Sequence, residues 1–225
     1  MVTSILSKVA LFSGMNKKQL KRLSKLGVIK KFKARESVFS EQETGDAFYV
    51  IIKGLVKIFK RSSVGEHKTL VILKEGDFFG EMAELDKPYR SASAQVIVES
   101  ELLVFYKKAF EKIISNYPRI TVNLMQTMSA RLREADEQIK NLVFQNTAGR
   151  LAVALLDLST KYGNKTAKGI EINVKLSHRD IADLVGSSRE LVTKVMNQFK
   201  HIGCIRIEHG KMYIINKRRL KDCIY

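Results

Sequence analysis

The stretch that decides the reading is L-S-H-R-D-I-A-D-L-V-G-S-S-R-E-L-V-T-K-V-M-N-Q-F-K, Leu176 to Lys200. Ser177 followed by Asp180 has the spacing of a capping box and opens a short helix that packs Ile181, Leu184 and Val185. Gly186 supplies a turn. Ser187 or Ser188 then caps a second helix, with Leu191, Val192, Val195 and Phe199 facing inward. Short helix, glycine turn and second helix make a helix-turn-helix. The solvent face of the second helix carries Arg189, Glu190, Thr193 and Lys194. Arg can bond guanine O6 and N7 together, Glu can accept from cytosine N4, and Lys can reach guanine or phosphate. The alternative is an exposed charged helix in a winged helix that binds no DNA, and the basic charge of the domain argues against it. Downstream, residues 204–207 and 212–215 read as a hairpin, a wing whose tip is Glu208-His209-Gly210-Lys211. The expected DNA-contacting set is Ser177, Ser188, Arg189, Glu190, Thr193, Lys194, His209 and Lys211. Cys204 reads as a small wing residue with no reactive role.

Working back toward the N-terminus, Asn146 can cap a helix running from Thr147 to about Tyr162, and the polar stretch 162–168 reads as a loop. Residues 144–146 are a candidate hinge. Before it, Met125, Met128, Leu132, Ala135, Ile139 and Leu142 recur at alternating steps of three and four. That pattern is an a/d seam of about two and a half heptads. It fits a dimerising helix, or an ordinary amphipathic helix packed on its own domain. Pro118 suits the first turn of this helix, where its missing N–H costs nothing. Residues 110–114 look helical as well.

Residues 27–106 read as β structure, with glycines at 45, 54, 65 and 76 separating short apolar runs. Turn signals at this spacing indicate a compact all-β roll or barrel. Within it, G-D-F-F-G-E-M-A-E-L (76–85) leads to Arg90-Ser91-Ala92. A glycine before a short helical turn exposes backbone N–H groups to an anion, and an Arg ten residues later can add a forked contact to phosphate. Glu81 could accept from a ribose hydroxyl. A β-turn stabilised by an Arg–Glu ion pair fits the same residues.

The 225-residue chain carries 40 Lys+Arg against 23 Asp+Glu, a net charge of +17, with 45% hydrophobic residues. A core can form, and polyanions are the first partners to consider. Residues 1–140 hold +9 of this charge and residues 141–225 hold +8. Nine basic residues and no acid lie between Lys17 and Arg35. Flanking DNA or RNA polymerase could use that run, although a solvated face with no partner is the better expectation. Cys204 and Cys223 form neither a disulfide framework nor a zinc signature. No nucleophile–base pair or metal-ligating cluster appears, and the four histidines are scattered, so no catalytic and no metal residue is expected. The first fifteen residues make a poor secretory signal, and no apolar run could cross a membrane. A cytoplasmic protein without a membrane partner is expected.

Four blocks in this order resemble the CRP/FNR family of transcription regulators: G-D-A-F-Y-V-I-I-K-G (45–54), F-G-E-M-A-E-L-D-K-P-Y-R-S-A (79–92), G-R-L-A-V-A-L-L (149–156) and V-G-S-S-R-E-L-V-T-K-V (185–195). The similarity runs from about Leu11 to the end. It implies an α+β chain in three parts: a β-roll sensor of the cyclic-nucleotide-binding, jelly-roll type (1–117), a dimerisation helix with hinge (118–145), and a winged-helix DNA-binding domain (146–225). By that resemblance residues 79–92 are a phosphate-binding cassette. Glu81 would hold the ribose 2′-hydroxyl, Arg90 and Ser91 the cyclic phosphate, and groups around Gly80, Met82 and Ala83 the rest of the cradle. Arg189, Glu190 and Lys194 fall on the family's base-reading positions, with Lys194 standing where cyclic-AMP receptors commonly have Arg, so that the bidentate geometry is lost. One departure concerns the base. Cyclic-AMP receptors place Thr-Ser on the dimer helix against adenine, one of the two reaching across from the other subunit. Here Ala135 and Asp136 occupy those places, and ionised Asp136 can only accept.

The implied function is that of a homodimeric, effector-modulated regulator on a palindromic operator. The expected small-molecule effector is a cyclic nucleotide, cyclic AMP being the commonest, with no covalent cofactor. A regulator with a vestigial pocket, binding DNA constitutively, is the alternative. A cyclic-nucleotide-binding regulatory subunit of an enzyme is a third reading, disfavoured by the helix-turn-helix.

Overall fold

The computed structural model describes residues 2–86 and 88–224; Met1, Tyr225 and Lys87, the last within the 79–92 block, lie outside them. In chain order the elements are α1 (Val2–Leu6), α2 (Lys17–Ser24), β1 (Val28–Phe32), β2 (Ser37–Phe39), β3 (Ala47–Lys53), β4 (Leu55–Arg61), β5 (His67–Lys74), β6 (Phe78–Phe79), α3 (Met82–Leu85), β7 (Ser93–Val96) and β8 (Ser100–Tyr106). There follow α4 (Lys107–Asn116), α5 (Pro118–Phe144), α6 (Thr147–Lys161), β9 (Gly163–Thr166), β10 (Gly169–Ile172), α7 (His178–Val185), α8 (Arg189–His201), β11 (Ile205–Glu208), β12 (Lys211–Ile214) and α9 (Lys217–Asp222). The chain divides into two compact units, residues 2–61 with 70–134, and residues 62–69 with 135–224.

The first unit is built on two four-stranded antiparallel sheets, ordered β1-β8-β3-β6 and β2-β7-β4-β5. Strand β3 reads A-F-Y-V-I-I-K, and its first six residues are all buried. An unbroken apolar strand needs cover on both faces, since successive side chains point to opposite sides. Tyr49 and Ile51 join Val56, Phe79, Ala94, Val96, Leu102 and Val104 in one core cluster. Phe48, Val50 and Ile52 join a second cluster with the helical residues Leu6, Leu20, Leu23, Phe110, Ile113, Ile120 and Leu124. Phe48 stacks on Phe105 with ring centroids 4.9 Å apart. Each such side chain contributes about 1.5–3 kcal/mol by leaving water.

Helix α5 begins at Pro118 and buries Ile120, Asn123 and Leu124. Asn123 is held by Leu11 and Ser13 carbonyls at 3.0 and 3.1 Å. Packing on its own unit therefore fully buries side chains only near the start of the helix. Met125, Leu132, Ile139, Leu142, Val143 and Phe144 are exposed large apolar residues, Leu132 at 64% and Phe144 at 81%.

In the second unit, α6, α7 and α8 pack together beside the sheet β11-β12-β10-β9. Asn146 caps α6 by accepting from Gly149 N at 3.0 Å. Two sequence expectations fail here. The stretch 162–168 is not a loop: Gly163–Thr166 pairs antiparallel with Gly169–Ile172. This strand lies at the sheet edge with its last three residues exposed, so no buried face imposes an apolar alternation on it. Leu191 is exposed at 41%, and Met196 is buried with Val192, Val195 and Phe199. Those four form the i, i+3, i+4, i+7 stripe, and Leu191 lies about 100° off it.

Candidate effector pocket and nucleic-acid interface

The cassette starts where β6 ends. Gly80 has φ +85°, and an added Cβ would come within 3.0 Å of Arg90 Nη1 and 3.3 Å of the Ala47 carbonyl oxygen. Only glycine meets both demands. The Arg90 side chain is drawn inward and the residue is 5% exposed. Its Nη1 donates to the Gly80 carbonyl and its Nη2 to the Ala47 carbonyl, each at 2.8 Å. Its guanidinium carbon lies 4.3 Å from the centroid of the Phe39 ring. Arg90 Nε is buried with no hydrogen-bond partner among the described residues. The cation is thus fixed before any anion arrives, which lowers the ordering cost of binding one.

Glu81, 1% exposed, opens α3. Its Oε1 accepts from Arg131 Nη1 of α5 at 2.8 Å, whereas Oε2 is buried with no hydrogen-bond partner among the described residues. Arg131 also donates to the Phe78 carbonyl and lies over the Phe78 ring. The ion pair read as an alternative is therefore present, but with Arg131 and not Arg90. Burial pushes the Glu81 carboxyl above the usual carboxylate range, and Arg131 opposes that rise. Glu84 is likewise raised by burial, against Arg90 and Lys107, and neither of its carboxylate oxygens has a hydrogen-bond partner among the described residues. Ala83 is buried, Met82 is exposed, and the exposed Ser91 makes one weak contact, to Met82 Sδ at 3.4 Å. Gly80, Glu81, Met82, Ala83, Arg90 and Ser91 thus share one neighbourhood. Asp136 is exposed on α5 and belongs to the second unit. Sequence reading missed Arg131, since a single Arg on a charged helix gives no signal of a buried acid elsewhere.

In the second unit, Ser177 and Asp180 cap each other reciprocally at the start of α7. Gly186 ends that helix at φ +69°, ψ +56°. The left-handed conformation is nearly free only to glycine. Ser188 then caps α8 by accepting from Leu191 N at 3.2 Å. Arg150 of α6 ties the turn in place, with Nε on the Val185 carbonyl at 2.9 Å and Nη2 on the Gly186 carbonyl at 3.2 Å. Arg189, Glu190 and Lys194 are exposed and make no ion pair among the described residues. Thr193 is committed: its Oγ1 donates to the Arg189 carbonyl at 2.8 Å and meets His178 Nδ1 at 2.8 Å.

The wing turn is made by His209 and Gly210, both at positive φ. His209 is exposed at its tip, and Lys211 pairs with Glu171 at 2.8 Å. Cys204 is buried, and burial with the neighbouring Cys223 pushes its thiol up to about 11, which makes it a poor nucleophile near neutral pH. All nine basic residues between Lys17 and Arg35 are exposed, and Lys31 lies 3.4 Å from Glu101.

An anion-ready β-roll in the same chain as a capped helix-turn-helix with a wing defines a DNA-binding regulator with a sensor fold. Residues 29–117 match the family described as cyclic nucleotide-binding domain, and residues 149–223 the family described as Crp-like helix-turn-helix domain. The CRP-like cAMP-activated global transcriptional regulator of Mycobacterium tuberculosis is 33% identical over 216 residues, 96% of each chain. The cyclic AMP receptor protein of Thermus thermophilus is 31% identical over 188 residues, 84% of each. The crystal structure of a CRP/FNR-family transcriptional regulator from Thermus thermophilus superposes with a TM-score of 0.72 at 28% identity, covering 88% of this chain and 98% of that one. The chain belongs to the CRP/FNR family of transcription regulators, and neither its relatives nor its fold are those of an enzyme. Among the described residues, no helix is long and apolar enough to cross a membrane.

Proposed function

We propose that this regulator works as a homodimer on a palindromic operator and that a cyclic nucleotide bound in the β-roll controls it. The observation that carries the effector reading is that the cassette's unsatisfied buried atoms include a donor, Arg90 Nε, and an acceptor, Glu81 Oε2. Leaving such groups unpaired costs about 1–3 kcal/mol or more apiece. A ligand offering an anionic oxygen and a hydroxyl supplies both partners, with Ser91 adding an exposed hydroxyl. Dimerisation is supported by the exposed seam residues of α5, Met125, Leu132, Ile139 and Leu142. In a dimer, two α8 helices would enter successive major grooves about 34 Å apart. Arg189, Glu190 and Lys194 would meet the bases, and His209 and Lys211 the phosphates. Cyclic AMP is the first candidate, being named for both relatives above.

Calorimetry tests the reading. Cyclic AMP or cyclic GMP should give saturable heat with the wild-type chain and none with Arg90→Leu. Wild-type protein giving no saturation at millimolar nucleotide removes both ligands. A second reading, an effector-independent regulator, is favoured by Ala135, which offers adenine no hydrogen bond, and by Glu81, already neutralised by Arg131. Operator affinity of ligand-free protein that no nucleotide changes would select it.

A further inference from the structure

His178 opens α7, is half-buried, and meets Thr193 on the face of α8 that carries Arg189, Glu190 and Lys194. The hydrogen-bond network fixes the state of its ring. Thr193 has one hydroxyl proton, and its Oγ1 gives that proton to the Arg189 carbonyl at 2.8 Å. The 2.8 Å contact with His178 Nδ1 therefore needs the histidine to donate. In the neutral ring Nδ1 then carries the only proton, and Nε2 is purely an acceptor. A phosphate oxygen is an acceptor as well, so the neutral ring cannot bond it. Protonation adds an Nε2–H donor and a positive charge on the reading face.

We infer that His178, held in this tautomer by Thr193, is a proton-dependent contact to the DNA backbone that makes operator affinity rise as pH falls. The inference rests on the DNA-reading role of α8. The charged groups on the two helices that meet here leave the site open to such a change. Asp183 is paired with Arg179 at 3.2 Å, and Asp180 is bonded to Ser177. Arg189, Glu190 and Lys194 have no ion-pair partner among the described residues, and Lys175, just upstream, is exposed. Three basic groups beside one acid favour a phosphate over an internal carboxylate as the proton-dependent partner.

One more phosphate contact steepens the dependence of log K on log salt by about 0.9, which is about eightfold in affinity at roughly 0.1 M salt for each half-site. The probe is a fluorescent duplex carrying the site that the full-length protein itself selects from random sequence. From mildly acidic to mildly alkaline pH, wild-type affinity should fall by that factor per half-site as the Nε2–H donor is lost. His178→Gln, which cannot be charged, should flatten this profile, and His209→Gln, removing the wing histidine, should leave the His178 step in place. Thr193→Val gives the sharper result. With Nδ1 released, the neutral ring can carry its proton on Nε2, so binding above pH 7 should strengthen and the pH dependence should shrink. A merely structural Thr193 would lower affinity at every pH instead. A His178→Gln profile as steep as wild type, or a flat wild-type profile with binding intact, overturns the inference. Failure to select any DNA site would instead strike at the DNA-reading role itself.

Discussion

Replacing Arg131 with Met leaves the Glu81 carboxylate buried without its counter-ion, and the consequence can be worked out from the cassette. Glu81 has 2% side-chain exposure and Arg131 has 32%. Breaking a fully buried pair costs about 3–5 kcal/mol. Water reaching the exposed third of Arg131 lowers this to about 2–3 kcal/mol. The loss must depend on pH in a definite direction. Burial already raises the Glu81 carboxyl above its unfolded value, and Arg131 holds that rise down. Without Arg131 it climbs further, so the folded variant binds a proton that the unfolded chain has released. Folding is then favoured at low pH, and the stability is lost as pH rises through the elevated folded value. The variant's deficit should be smallest near the ordinary Glu value of about 4.3 and grow as pH rises. For a unit of this size the deficit lowers the melting temperature by about 6–12 °C. The assay is thermal unfolding followed by circular dichroism at acid and mildly alkaline pH, with Glu81→Gln/Arg131→Met recovering most of the loss. An equal loss at both pH values, or no recovery in the double variant, would refute the reasoning.

Other outcomes follow from the remaining surfaces. Leu132→Asp with Ile139→Asp places charges in the exposed seam of α5 and should turn a dimer into a monomer in sedimentation velocity; dimers that persist would move the interface elsewhere. Arg189→Ala should cost about 1–3 kcal/mol of discrimination at one G·C pair per half-site, and a binding selection that returns the wild-type preference would sink that assignment. Neutralising Lys17, Lys18, Lys21 and Lys25 should leave specific binding at moderate salt nearly unchanged, and a large loss would mean that DNA reaches the first unit.

Local chemistry carried the parts of the fold that could be read from sequence. Ser177 with Asp180, Gly186, Asn146 and Pro118 each impose a backbone geometry that needs no distant partner, and each stands where its chemistry required. The β-roll was legible because β3 is covered on both faces and so had to be continuously apolar. Edge strand β9 has no such constraint, and its polar text gave no sign of pairing. The cassette was legible in part. Gly80 and Arg90 could be paired through residue type and spacing, but the partner of Glu81 lies 50 residues away on another element. Likewise, the two fates of the α5 seam were equivalent as text. A periodic stripe says that a face is apolar and does not say what covers it.

The Glu81–Arg131 pair also bears on how an effector could act at a distance. Arg90 is held by two carbonyls, so under the proposed function the phosphate end of the site would be ready in advance. Glu81 is different. A hydroxyl that bonds its carboxylate alters the environment of Arg131, and Arg131 stands on α5 one residue before Leu132, the most exposed of the seam residues on that helix within the first unit. An effector can shift an equilibrium only by its difference in affinity for the two states. Under the proposed function, that difference would arise at Glu81 and Arg131, because these are the cassette groups whose partner sits on the helix offered to the second subunit. The anion site would then supply most of the affinity, and the carboxylate most of the switching. An anion that fills the Arg90 site without touching Glu81 should bind and leave operator affinity unchanged. Inorganic phosphate that raises operator affinity as far as a full cyclic nucleotide does would contradict this division of labour.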